Sequence, residues 1–155
     1  MQCLCLLVVV ALLLTIVPGR TETPKAGPLI GYTEFRTNLP GGRHANVRTM
    51  RAMVVNLDGS GRRELAPELA WEPETWTQFA SWSPDGSKAI IGSGWQDPEN
   101  AKWEEEHKRF RMEPGKWRYD GYLYDLASGA LTNVCAVDRV SHYNGVSFSP
   151  DGRKL

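Results

Sequence analysis

The chain has 155 residues, 41% of them hydrophobic and 23% charged, and its 18 basic side chains balance 18 acidic ones. It is too apolar for a disordered tail, and its 15 Gly and 10 Pro, without a strict period, do not make a collagen. Zero net charge gives no electrostatic reason to expect nucleic acid or an anionic membrane as partner, and the length suits one domain or part of a larger one.

The first element is apolar. Leu4 to Val17 is interrupted only by Thr15 and carries no charge. As a helix it spans about 21 Å, short of the ~30 Å hydrocarbon core of a bilayer. Val17-Pro18-Gly19 closes it with a helix breaker and small residues. Residues 1–19 are therefore predicted to be a secretory signal peptide, cut after Gly19, with 20–28 a linker. The alternatives are an uncleaved anchor and a buried strand. The mature chain is expected to be exported, periplasmic or extracellular, with no stable membrane span after cleavage. Cys3 and Cys5 would leave with the leader, so Cys135 alone remains, excluding an internal disulfide.

Strand patterning starts near residue 29. Met53-Val54-Val55-Asn56-Leu57 is strand-like, Asp58-Gly59-Ser60-Gly61 is a turn, and Arg62 to Leu65 returns. Ala80-Ser81-Trp82 then alternates into Ser83-Pro84-Asp85-Gly86, followed by Lys88 to Gly92 with strand character. Pro presets φ for a type I turn, Asp can bond its own backbone, and Gly takes the left-handed position that follows. Asp97 and Pro98 begin a helix over 97–112. Trp103, His107 and Phe110 are expected along one face, Glu104–Lys108 and Glu105–Arg109 as i, i+4 pairs, and Pro114-Gly115 as the stop. Tyr122 to Leu126, the turn Ala127-Ser128-Gly129 and Ala130 to Val134 form a further hairpin.

The chain repeats itself. Ala80-Ser81-Trp82-Ser83-Pro84-Asp85-Gly86-Ser87-Lys88 returns 66 residues later as Val146-Ser147-Phe148-Ser149-Pro150-Asp151-Gly152-Arg153-Lys154. The Gly-turn hairpins recur with an offset of 69, Leu57 to Leu126. Four short antiparallel strands per repeat make one propeller blade, and a typical blade of ~40–45 residues leaves room here for an inserted helix. Trp82 and Phe148 occupy equivalent positions and are expected to pack between blades.

These segments carry a resemblance. The two Ser-Pro-Asp-Gly-x-Lys copies, each with an aromatic residue two places before the Pro, resemble the WD-repeat-like motif of TolB-type β-propellers. The Tyr124-Asp125-Leu126-Ala127-Ser128-Gly129 hairpin is similar to the outer strands of those blades. The resemblance implies an all-β chain. Residues 29–155 would form a partial β-propeller of four-stranded antiparallel blades, about two blades plus the start of another, with a short inserted α-helix. It also implies an interaction scaffold of the bacterial cell envelope. Residues 20–28 leave no room for that family's separate N-terminal α/β domain, so a generic binding module is expected rather than a Tol-Pal component. The alternative is the propeller portion of an enzyme, prolyl-oligopeptidase-like or oligogalacturonate-lyase-like.

Candidate site residues follow. Trp71, Trp76 and Trp95 fall in loop-like contexts and are candidates for a recognition surface, as is His142 in a loop before a strand. Asp85 and Asp151 belong to their turns with Ser83, Pro84, Gly86, Ser149, Pro150 and Gly152, rather than to chemistry. Asp97, Glu99 and Glu104 to Glu106 read as a solvated helix face, and His44 as part of a flexible Pro-Gly-Gly loop. No His-Glu-x-x-His, Gly-x-Ser-x-Gly or dinucleotide fingerprint is present. Cys135 reads as a small buried strand residue, and Arg36, Arg43, Arg48, Arg51, Arg62 and Arg63 as charges that blunt strand edges. No catalytic residue, metal or cofactor is expected. The partner is a protein or envelope component, with self-association through open blade edges a further expectation.

Overall fold

The computed structural model describes residues 27–135 and 146–155. The predicted leader, most of the linker and His142 lie outside the described residues.

Two antiparallel sheets carry the fold. The first has the order β1 (Leu29–Glu34), β2 (Arg51–Asn56), β3 (Arg63–Glu64), with α1 (Gly42–Val47) between β1 and β2. The second has the order β4 (Thr75–Trp82), β5 (Lys88–Gln96), β6 (Trp117–Asp125), β7 (Leu131–Asn133), with α2 (Pro98–His107) between β5 and β6. Neither sheet closes on itself. The first sheet holds three strands rather than the expected four: among the described residues, no strand pairs with the outer edge of β1 as β4 pairs with β5.

Alternation along the strands builds a core between the sheets. Ala52 and Val54 from β2, Leu65 and Ala66 after β3, and Ala89 and Ile91 from β5 are buried together. Phe79, Trp82 and Tyr124 pack around them, with Phe79 and Trp82 rings 4.9 Å apart. Trp82 thus packs against the core that the two sheets share.

Strand β4 ties the sheets together by polar contacts. The Phe79 amide donates to Thr33 Oγ1 at 3.0 Å, and the Ala52 amide donates to the fully buried Thr77 Oγ1 at 2.9 Å. The Thr77 amide donates to the Met50 carbonyl at 3.1 Å. Gly31 lets β1 approach so closely that a Cβ there would overlap the Phe79 ring.

The helices depart from expectation in three ways. First, α2 ends at His107 rather than 112, because Lys108 adopts a left-handed conformation with φ 52°. The chain then doubles back. The Arg111 amide donates to Glu104 Oε1 at 2.6 Å, and Asn100 Nδ2 donates to the Arg111 carbonyl at 3.1 Å. Pro114-Gly115 lies in the turn into β6, not at the helix end.

Second, the buried side of α2 is Asn100, Ala101 and Glu104, so polar groups are satisfied internally instead of an apolar stripe being covered. Trp103 and His107 stack on each other with centroids 4.2 Å apart, and Phe110 lies beyond the helix, exposed. Lys108 pairs with Glu105 at 2.8 Å, three residues away, since Glu104 is turned inward. Third, residues 42–47 form α1 instead of a loop, and His44 is buried, its Nε2 4.0 Å from Glu104 Oε2. Cys135 lies past β7, half-buried, and its Sγ accepts from the Gly121 amide at 3.2 Å.

Candidate functional site

Residues two apart on a strand share a face, and one face of the second sheet collects polar and aromatic side chains. Register sets Thr75 opposite Trp95, Trp95 opposite Arg118, and Ser93 opposite Asp120. Tyr122 follows on the same face of β6, opposite Ile91, which belongs to the core. One end of this face is thus covered by the first sheet. The other end is left open.

The connection between the sheets roofs that open end. Ala66 takes a left-handed conformation, Pro67 starts a single 3-10 turn over Pro67–Ala70, and Trp71 ends it. The segment is fastened to the sheet. Thr75 donates to the Glu72 carbonyl from its amide (3.1 Å) and its hydroxyl (2.6 Å), and Ser93 Oγ donates to the Leu69 carbonyl at 3.5 Å. The result is an open cleft of about 250 Å³ with Trp71, Trp95 and Tyr122 as aromatic walls. Glu68, Glu72, Asp120 and Arg118 supply its charges.

The predicted tryptophans divide. Trp71 and Trp95 meet in this cleft, although Trp95 belongs to β5 rather than to a loop. Trp71 is 77% exposed. Trp76 lies on the opposite face of β4 and is only 5% exposed, so it is a packing residue. It lies over Gly94, where a Cβ would overlap its indole, and meets Trp117 edge-on at 6.2 Å.

Arg118, Asp120 and Tyr122 are the site residues that the sequence reading missed. The signal was the alternation Arg118-x-Asp120-x-Tyr122, hidden because the strand was started at Tyr122 instead of Trp117. Arg118 lies over the Trp95 ring, 4.6 Å from its centroid. Asn133 Nδ2 donates to Asp120 Oδ2 at 3.3 Å and to the Tyr122 hydroxyl at 3.4 Å. Burial, and next the charge of Asp120, hold the Tyr122 hydroxyl above its ordinary pKa.

The repeated aspartates serve their turns. Ser83 Oγ donates to Asp85 Oδ1 at 2.6 Å, and Ser149 Oγ donates to Asp151 Oδ1 at 2.7 Å. The Gly86 and Gly152 amides donate to the Ser83 and Ser149 carbonyls at 2.9 and 2.8 Å, with φ of 70° and 69°. The Lys88 and Lys154 amides donate to the two serine hydroxyls, both at 2.9 Å. Hydrogen bonds from Ser83 and Ser87 hold the Asp85 carboxyl down at about 2. The turns stand side by side: Pro84 packs over Gly152, and Phe148 lines a small hollow of about 160 Å³ between them.

Among the described residues, no group of three or more His, Cys, Asp and Glu is placed to hold a metal ion, and no helix is long and apolar enough to cross a membrane. Arg48, Arg51 and Arg62 pair with Glu74, Glu64 and Glu34 across the strands and connections of the first half. No family model, curated protein or solved structure matches the chain.

Proposed function

We propose that this chain is an exported, non-catalytic binding module of the TolB-like β-propeller kind, holding a protein or cell-envelope component at the Trp71–Trp95 cleft. Three features support the propeller part of this reading. The second sheet runs β4-β5-β6-β7 in up-and-down order, the arrangement of a propeller blade. The first sheet repeats its strand, helix, strand, turn and strand. The two Ser-Pro-Asp-Gly turns pack next to each other, as units of a repeat protein pack on their neighbours.

The observation that carries the binding part is the exposed Trp71 indole, held beside a sheet by the bonds to Glu72 and Leu69. A large aromatic on a fixed support loses little conformational entropy when a partner covers it, which makes it an anchor. Two measurements test the reading. The purified chain should bind a subset of an immobilised array of extended peptides, and Trp71→Ala should lower those signals at least about tenfold with the far-UV circular dichroism unchanged. Binding to no peptide, or binding indifferent to Trp71→Ala, would overturn it. Fractionation of expressing cells should place the chain outside the cytoplasm with Arg20 as its first residue. Cytosolic protein that retains Met1 would refute export.

A further inference from the structure

The charges of the cleft say what kind of partner it takes. Glu68, Glu72 and Asp120 line it against one cation, Arg118, and among the described residues none of the four forms an ion pair. The described lining residues thus carry a net charge of −2 beside aromatic walls. Aromatic faces are electronegative, and a cation held over them and flanked by carboxylates is attracted by both. The chain already displays the pairing, because its own guanidinium, Arg118, rests on Trp95. Among the described residues no such cation lies over the Trp71 indole across the cleft, which is mostly exposed.

Size narrows the choice further. Pockets for cofactors and small molecules hold roughly 300–1,000 Å³. At about 250 Å³ and open to solvent, this cleft matches a single long side chain better than a free cofactor.

We infer that the Trp71–Trp95 cleft receives an arginine side chain from an extended segment of a partner protein, its guanidinium against Trp71 and between Glu68, Glu72 and Asp120. This rests on the binding-module reading and names its ligand. Arg118 then competes with the incoming arginine: it repels the same charge and covers one of the two indoles. The aliphatic stem of the ligand arginine covers the apolar part of the Trp71 ring, as such stems cover apolar surface elsewhere.

The test uses the full chain and three synthetic peptides identical except at one central position: arginine, citrulline or glutamate. Citrulline keeps the shape and planarity and removes the charge. The arginine peptide should bind at least about tenfold more tightly than the citrulline peptide at low salt, and the margin should narrow as ionic strength rises. The doubly substituted Glu68→Gln/Glu72→Gln chain should lose that margin, since among the described residues neither carboxylate forms an ion pair that the substitution would break. Arg118→Gln should strengthen arginine-peptide binding several-fold, a result that a merely structural role would not produce. Equal binding of arginine and citrulline peptides, abolished by Trp71→Ala, would overturn the arginine assignment and leave the cleft as a recognition site. Binding of none of the three, together with a silent peptide array, would overturn the module reading itself.

Discussion

The two sheets use one plan with different supports. Each contains the run strand, helix, strand, turn, strand, preceded in the second sheet by β4, and the helices occupy the same slot. Helix α2 has ten residues and a local start signal: Asp97 accepts from the Asn100 amide at 3.0 Å, and Pro98 fills the first turn. Helix α1 has six residues, begins after Gly41 at φ 98°, and has no side-chain cap. So short a helix is unstable alone. It is held by its surroundings, with Asn46 accepting from the Leu39 amide at 3.1 Å and His44 buried toward Glu104 of α2. The same position in a repeat can therefore be specified locally in one copy and by neighbours in the other.

The largest expected effect breaks both sheets at once. Ile91 is fully buried in the shared core, so Ile91→Ala should cost roughly 2–5 kcal/mol. Urea titrations followed by far-UV circular dichroism and by tryptophan fluorescence should shift together. Separate midpoints for the two probes would mean that the sheets unfold independently.

A matched pair of glycines separates the sheets more selectively. Gly31 lies under Phe79 of the neighbouring sheet, and Gly94 lies under Trp76 of its own sheet. Alanine at either should cost roughly 1–3 kcal/mol, because an aromatic ring must move. Hydrogen exchange should quicken first in β1 and β2 for Gly31→Ala, and first in β4 and β5 for Gly94→Ala. The reverse order would contradict the packing described.

Capping sharpens the contrast between the helices. Asp97→Ala should cost about 1 kcal/mol and weaken the start of α2, whereas Asp97→Asn, which keeps the acceptor, should retain most of that stability. Amide chemical shifts of Glu99 to Ala101 report it, and unchanged shifts in the Ala variant would show that packing alone holds the helix.

The smallest effect is a pH dependence shared by the turns. Asp85 and Asp125 are both held at about 2 by serine hydrogen bonds, with a further bond from Lys88 at Asp125. A carboxylate with a lowered folded pKa stabilises above its unfolded value and loses that contribution as pH falls through the folded one. Stability should therefore decline between about pH 4 and pH 2. Asp85→Asn should flatten this decline slightly and converge on the unmodified chain as pH falls below about 2. A decline of undiminished depth in the variant would remove Asp85 from the account.

The turns were legible because their chemistry is local. Pro84, Asp85 and Gly86 each answer a backbone requirement within a few residues, and the second copy repeats the network almost bond for bond. The start of α2 was legible for the same reason. Its end was not, since Lys108 carries no mark of the left-handed conformation it adopts, and the return of Arg111 to Glu104 sets the boundary. Trp76 and Trp95 show the same limit: both are strand residues of similar composition, and only the face each presents separates a core side chain from a cleft wall.

By itself, then, the sequence determined the β character, the repeated hairpins, their turn chemistry and the place of the inserted helix. All of these follow from φ preferences and side-chain alternation over a few residues. The tertiary structure decided what the alternation could not: which sheet face is covered, that Glu104 and His44 are buried, and that Glu68, Trp71, Trp95, Arg118 and Asp120 line one cleft. Strand register and the path of the connecting segment bring these residues together over a span of 53 positions, and no local preference encodes a separation of that length.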